Sequence, residues 1–134
     1  MGTIDGGPER LSDLDAHDHA MVIPIVEVVR ELVDLLGATT VAVIGGVKET
    51  RAVQQWMTDR EPQRPHTLRF ALQLASMISA VGERSLAQAW FHGSNPRLND
   101  KVPMLMLRDG DLNEIQGPLL DSARAFALSR TNHA

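Results

Sequence analysis

Cysteine and tyrosine are both absent from this chain of 134 residues, and aromatic residues make up 4% of it. Without cysteine there is no disulfide framework, no thiolate nucleophile and no cysteine-ligated zinc or iron–sulfur site. Two Trp and three Phe leave little from which to build a base-stacking platform. Long apolar runs are missing too: none approaches the ~18 residues that a membrane-spanning helix needs. The opening stretch, MGTIDGGPERLSDLDAHDHA, lacks the basic and apolar regions of a secretory signal. Gly6 stands where a myristoylation signal wants Ser or Thr. The expectation is a cytoplasmic protein that does not associate with membranes.

What is there is ordinary globular usage, 43% apolar and 22% charged, in a length that fits one domain or two small ones. The net charge of −4 is not that of a polycation waiting for nucleic acid. The total hides a gradient. Residues 1–36 hold eight acids and two bases (Arg10 and Arg30). Residues 37–69 hold five bases (Lys48, Arg51, Arg60, Arg64 and Arg69) against three acids, and residues 70–134 hold six of each. The middle is the one net-basic part.

Residues 1–20 read as a flexible acidic arm, with Gly2, Gly6, Gly7, Pro8, five acids and few large apolar groups to offset ordering entropy. His17 and His19 flank Asp18, a pattern expected of a solvated tail rather than a metal site. A helix is predicted from Pro24, with Ile25, Val28, Val29, Leu32, Leu35 and Leu36 at helical spacing and Gly37 as its stop. Thr39 or Thr40 can cap a short helix over 41–44, ended by Gly45-Gly46. A third helix is predicted over 50–58, and Pro62 and Pro65 keep it from continuing. Thr67 can cap a helix over 68–81 that is apolar over most of its circumference, as a central core helix must be. Short helices come next at 85–91 and 104–107, separated by the turn His92-Gly93-Ser94-Asn95-Pro96 and a connecting loop over 97–102. A last helix starts near Leu112, bent at Gly117-Pro118, and runs to about residue 128, with a polar tail over 129–134. No run alternates with period two for long enough to make a strand. The fold class is therefore all-α, six or seven helices, with an arm over 1–20 and domains over 21–66 and 67–134.

Catalytic patterns are scarce. The chain has no H-E-x-x-H, no P-loop, no G-x-G-x-x-G and no context for a Ser/His/Asp triad. His66 and His92 sit beside turns, and Asp109 and Asp111 flank a glycine as turn residues do. The expectation is a protein that is not an enzyme and that takes no cofactor and no metal.

The stretch 32–60 says more. A helix, a short helix, a glycine turn and a third helix carrying Arg, Gln and Trp is the layout of a helix-turn-helix. Val41, Ile44, Val47, Val53 and Trp56 would set the angle between the last two helices. Arg51, Gln54 and Gln55, with Thr50 at the start, would face the major groove, where Arg reads guanine and Gln reads adenine. Lys48, Arg60 and Arg64 would touch phosphates. An ordinary helical hairpin with a solvated polar face has the same layout, and composition leaves the two open.

GATTVAVIGGVKETRAVQQWMTDREP resembles an Xre-type helix-turn-helix. Downstream, AQAWFHGSNPRLNDKVPMLMLRDGDLNEI resembles the toxin-binding domain of Xre/MbcA/ParS-type antitoxins, whose pattern is W-x-x-x-x-N-P-x-L followed by P-x-x-L-L-x-x-G. Trp90, Asn95, Pro96 and Leu98 match the first part. Pro103, Met106, Leu107 and Gly110 match the second, with Met106 in place of the more usual Leu. The two matches cover about residues 32–127, and the second is the more specific.

The resemblance implies an antitoxin of a type II toxin–antitoxin system. Such a protein neutralises a RES-domain toxin that destroys NAD⁺, through the C-terminal half, and can repress its own operon by binding operator DNA. Carried onto this sequence, the toxin-binding residues would be Trp90, Asn95, Arg97, Asn99, Lys101, Arg108, Arg124 and Arg130. A homodimer or a toxin–antitoxin hetero-oligomer is implied as well. The alternative is a stand-alone helix-turn-helix transcriptional regulator without a toxin partner.

Overall fold

A computed structural model describes residues 7–132, with side chains described for residues 14–130. The elements are α1 (Gly7–Val22), α2 (Ile25–Leu36), α3 (Ala38–Gly45), α4 (Thr50–Trp56), α5 (Pro65–Ser79), α6 (Arg84–His92), a 3₁₀ turn (Pro96–Leu98), α7 (Pro103–Asp109) and α8 (Leu112–Asn132). The all-α expectation holds among the described residues, where the one strand-like pairing is an isolated bridge between Asn95 and Lys101. No helix among them is long and apolar enough to cross a membrane.

α5 is the axis of the fold. Leu68, Phe70, Ala71, Leu72, Leu74, Ala75, Met77 and Ile78 are all buried, on every side of the helix. Burying that circumference requires neighbours all round, and α1, α2, α3, α6 and α8 supply them. α5 begins at Pro65, where the missing N–H costs nothing in a first turn, so Thr67 lies inside the helix rather than capping it. The expected border between residues 66 and 67 therefore falls within α5, and one hydrophobic cluster holds residues from both sides of it.

α2 has its predicted spacing: Val28, Val29, Leu32 and Leu36 are buried. Gly37 ends it at φ +90°, donating to the Val33 carbonyl at 2.8 Å, and its carbonyl accepts from Val41 in the first turn of α3. A side chain there would be strained, so glycine is what allows two helices to meet at one residue. α3 is longer than the predicted 41–44. Thr39 and Thr40 lie within it, and Thr40 is buried in a 2.7 Å hydrogen bond with His92 Nε2 of α6. α8 runs unbroken through Pro118 to Asn132, past the predicted end near 128.

The largest departure is at the N-terminus. Residues 7–20 are helical, not a flexible arm; residues 1–6 of the predicted arm lie outside the described residues. Large apolar groups are indeed few, but α1 does not need them. Ala16 and Ala20, one turn apart, are buried and let α1 approach α5 closely. Arg69 of α5 then donates to the Ala20 and Ile23 carbonyls at 2.9 and 2.7 Å, satisfying acceptors at the end of α1. His17 and His19 part company: His17 lies 3.5 Å from Gln73 on α5, while His19 Nε2 lies 2.7 and 2.8 Å from the Glu31 carboxylate on α2. Two residues apart on a helix, they face different neighbours.

α3 and α4 meet at Gly45. A Cβ built there would lie 2.6 Å from the Trp56 ring, closer than any real contact. Helix propensity alone would favour Gly45→Ala by up to about 1 kcal/mol. The overlap with Trp56 reverses the sign, and a net loss of about 1–2 kcal/mol is expected in urea denaturation. Stability equal to or above that of the parent chain would show that the two helices can separate freely.

Candidate nucleic-acid and partner-binding surfaces

Two surface devices rise from this core. The first is the α3–α4 pair. Val41, Ile44 and Val53 are fully buried beneath it and Trp56 nearly so, which fixes one helix against the other. Gly46 turns the chain at φ +81°, and Val47 donates to the Ala42 carbonyl at 2.9 Å to close the end of α3. Glu49, in extended conformation, stands at the start of α4 without a side-chain cap. Arg30 of α2 completes the end of α4 by donating to the Met57 carbonyl at 2.9 Å, while also pairing with Glu27 at 2.7 Å.

The predicted DNA-contacting residues are only partly brought together. Lys48, Arg51 and Gln54 are exposed, and Thr50 and Gln55 half-buried. Lys48, Arg51 and Gln55 line one shallow groove of about 360 Å³, shared with Glu49, whose negative charge sits at the same edge. Arg60 is exposed beyond the end of α4, its N–H bonded to the Gln55 carbonyl. Arg64 does not join them. Its guanidinium lies over the Gly46 backbone and donates to the Arg108 carbonyl, so it ties the turn between α3 and α4 to the end of α7. In this arrangement it holds structure together as well as lying exposed.

The second device is the turn after α6. Asn95 holds it with both ends of its side-chain amide. Oδ1 accepts from the Arg97 N–H and Nδ2 donates to Ser122 Oγ of α8, each at 3.0 Å. Its backbone N–H donates to the Lys101 carbonyl at 3.0 Å, and its carbonyl accepts from Leu98 and Asp100. Leu98 is buried beneath. Asn99 and Asp100 succeed one another at φ +57° and +63°, a left-handed pair that only a braced turn sustains.

The predicted toxin-binding residues divide accordingly. Trp90 is largely buried, though it lines a groove. It is 7% exposed, edge-on to Phe91 with ring centroids 5.1 Å apart. Its indole N–H is buried without a partner among the described residues, which costs about 1–3 kcal/mol. Asn95 is a brace. Arg97, Asn99 and Lys101 are exposed on the turn, with Arg97 3.5 Å from Asp121. Arg108 is exposed but held at two points by Asp109, Nε at 2.7 Å and Nη2 at 2.8 Å. That pairing raises the Arg108 pKa above its ordinary value. The hydrogen bond from Arg108 is also the main cause that lowers the Asp109 pKa. Arg124 and Arg130 are exposed along α8. Trp90, Asn95 and Arg97 share a groove of about 430 Å³ with Ser122, Phe126 and Ser129. Lys101 lines a second groove, of about 440 Å³, with Val102, Leu105, Met106 and Ile115.

Sequence reasoning missed Ser122 and Phe126, since neither stands near a motif and both come to the turn only through the docking of α8. It also missed Arg30 and Arg69, which act on backbone carbonyls of other helices and carry no sequence signal. Among the described residues no group of three or more His, Asp or Glu is placed to hold a metal ion. No family model, no curated protein and no solved structure matches the chain.

Asn95→Ala removes two side-chain hydrogen bonds and leaves Ser122 Oγ without its donor. A loss of about 1–3 kcal/mol is expected on chemical denaturation, with faster amide exchange at residues 97–101. Arg97→Ala, at the exposed rim, is expected to stay within about 0.5 kcal/mol of the parent. Equal effects from the two would deny Asn95 its bracing role.

Proposed function

We propose that this chain is the antitoxin of a type II toxin–antitoxin pair, binding and neutralising a RES-domain NAD⁺-degrading toxin and repressing its own operon through the α3–α4 pair. One observation carries the reading. The two segments that bear the resemblance form two separate exposed devices on one core: α4 with Arg51 and Gln54 outward, and the braced turn with Arg97, Asn99 and Lys101 outward. Other motif residues, among them Val53 and Trp56 in one and Trp90, Leu98 and Leu107 in the other, are buried supports.

On this reading Arg51 and Gln54 contact base edges, and Lys48 and Arg60 contact phosphates. Glu49 opposes them, and the segment's charge excess is small, so a single copy binds DNA weakly and in a salt-sensitive way. A homodimer or a toxin-bridged assembly adds avidity by joining two such readers. The toxin is held by the C-terminal half. Arg97, Arg124 and Arg130 are the arginines set to enter a pocket shaped for the phosphates of NAD⁺, where the guanidinium fork makes paired hydrogen bonds.

The test is co-expression with the protein encoded beside this chain, then pull-down and an assay of NAD⁺ loss. Protection of NAD⁺ is expected, and Arg124→Ala with Arg130→Ala is expected to weaken it. Arg51→Ala with Gln54→Ala should leave protection intact while lowering affinity for promoter DNA by about tenfold or more, at about 1–3 kcal/mol per base contact. DNA binding without any protection of NAD⁺ would replace the antitoxin by the stand-alone regulator.

A further inference from the structure

We propose that the groove between α6, the Asn95 turn and α8 receives a carboxylate side chain, with an apolar side chain beside it, from a segment of a partner protein. The identity of that partner as the toxin rests on the antitoxin reading; the chemistry of the groove does not.

Four features of the groove converge on this ligand. Trp90 lines it, and its buried indole N–H has no acceptor among the described residues. Nearly every buried donor in a folded protein is paired, so an orphan beside a groove marks a place for an incoming acceptor. Ser122, 2% exposed, lines it too. Its oxygen accepts from Asn95 Nδ2, which leaves the hydroxyl hydrogen to give. Arg97 is the one charged residue of the lining, and no carboxylate shares it. Asp121 lies 3.5 Å from Arg97, but both side chains are well exposed, and such a pair yields readily to a better-placed acceptor. Phe126, Ala89, Ala125 and Pro96 give the groove an apolar part, beside Gly93, Ser94 and Ser129.

Two buried donors and a cation, with no acid among them, call for an anion. The apolar walls call for a hydrocarbon neighbour, which inorganic phosphate lacks. A volume of about 430 Å³ takes one or two side chains of a peptide. Trp90 Nε1 is closed to solvent, so the ligand reaches it only as the side chains over it move.

The test monitors the indole N–H resonances of the ¹⁵N-labelled full chain by NMR, with Trp56 and Trp90 told apart by Trp56→Phe. N-acetylphenylalanine, which pairs a ring with a carboxylate, is titrated against its carboxamide and against inorganic phosphate. The acid is expected to move the Trp90 resonance saturably and leave Trp56 in place, with the carboxamide binding about tenfold more weakly. Arg97→Gln is expected to erase the difference between the two. A Trp90 resonance unmoved by the acid, or moved equally by the carboxamide, overturns the proposal, and an equal response to phosphate reduces the groove to a general anion site. No toxin or DNA enters the experiment, so its failure leaves the antitoxin reading standing, and a failure to protect NAD⁺ leaves this result standing.

Discussion

A helix that is apolar around its whole circumference has to be surrounded, and that requirement organises this molecule. α5 buries residues on every side and takes α1, α2, α3, α6 and α8 as neighbours. Nothing in α1 or α3 is strongly enough patterned to be placed on its own. Each finds its seat because α5 leaves an apolar strip that water would otherwise wet. Arg69 shows how tightly the parts are linked: it grows from the core helix yet ends on the Ala20 carbonyl of α1 and the Ile23 carbonyl just beyond it.

The two surface devices are held on this core by similar means. In each, a special residue allows close approach and a polar side chain reaches across to a backbone or hydroxyl partner. Gly45 lets α3 lie against Trp56, Arg30 fastens the end of α4 to α2, and Arg64 fastens the turn between α3 and α4 to α7. Asn95 shapes its own turn and clamps it to Ser122 of α8. Rigid supports of this kind keep exposed side chains in a fixed arrangement, which is what a recognition surface needs. Arg64 also couples the devices, since it spans from the turn after α3 to the carbonyl of Arg108 at the end of α7. A partner seated at one of them therefore meets a surface mechanically tied to the other.

Periodicity made much of the helix order legible. The apolar spacing in α2, the full apolar circumference of α5 and the glycine stop at Gly37 all act within a few residues, so they can be read along the chain. Boundaries fared worse. Thr40 and Thr67 look like caps because their hydroxyls suit that place, but Pro65 opened α5 earlier and His92 took the Thr40 hydroxyl. α1 was hidden because alanine contributes little apolar area to a composition count, while two alanines one turn apart permit close helix contact. For the candidate residues, exposure at turns and on outer helix faces could be anticipated. Whether a motif tryptophan faces outward or inward could not, and Trp90 faces inward.

Local patterning thus decided the all-α class, the central place of α5 and the outline of the two segments that carry the exposed devices, because helix period, capping and turn chemistry depend on neighbours in sequence. Folding decided the rest. Only the docking of α8 brings Ser122 and Phe126 to the Asn95 turn, and only the crossing of α3 and α4 makes Gly45 indispensable. Only packing turns Trp90 from a motif residue into a buried donor without an acceptor. The reason is distance along the chain. Asn95 and Ser122 stand 27 residues apart, and Thr40 and His92 stand 52 apart, far beyond the span over which a sequence pattern can report a contact.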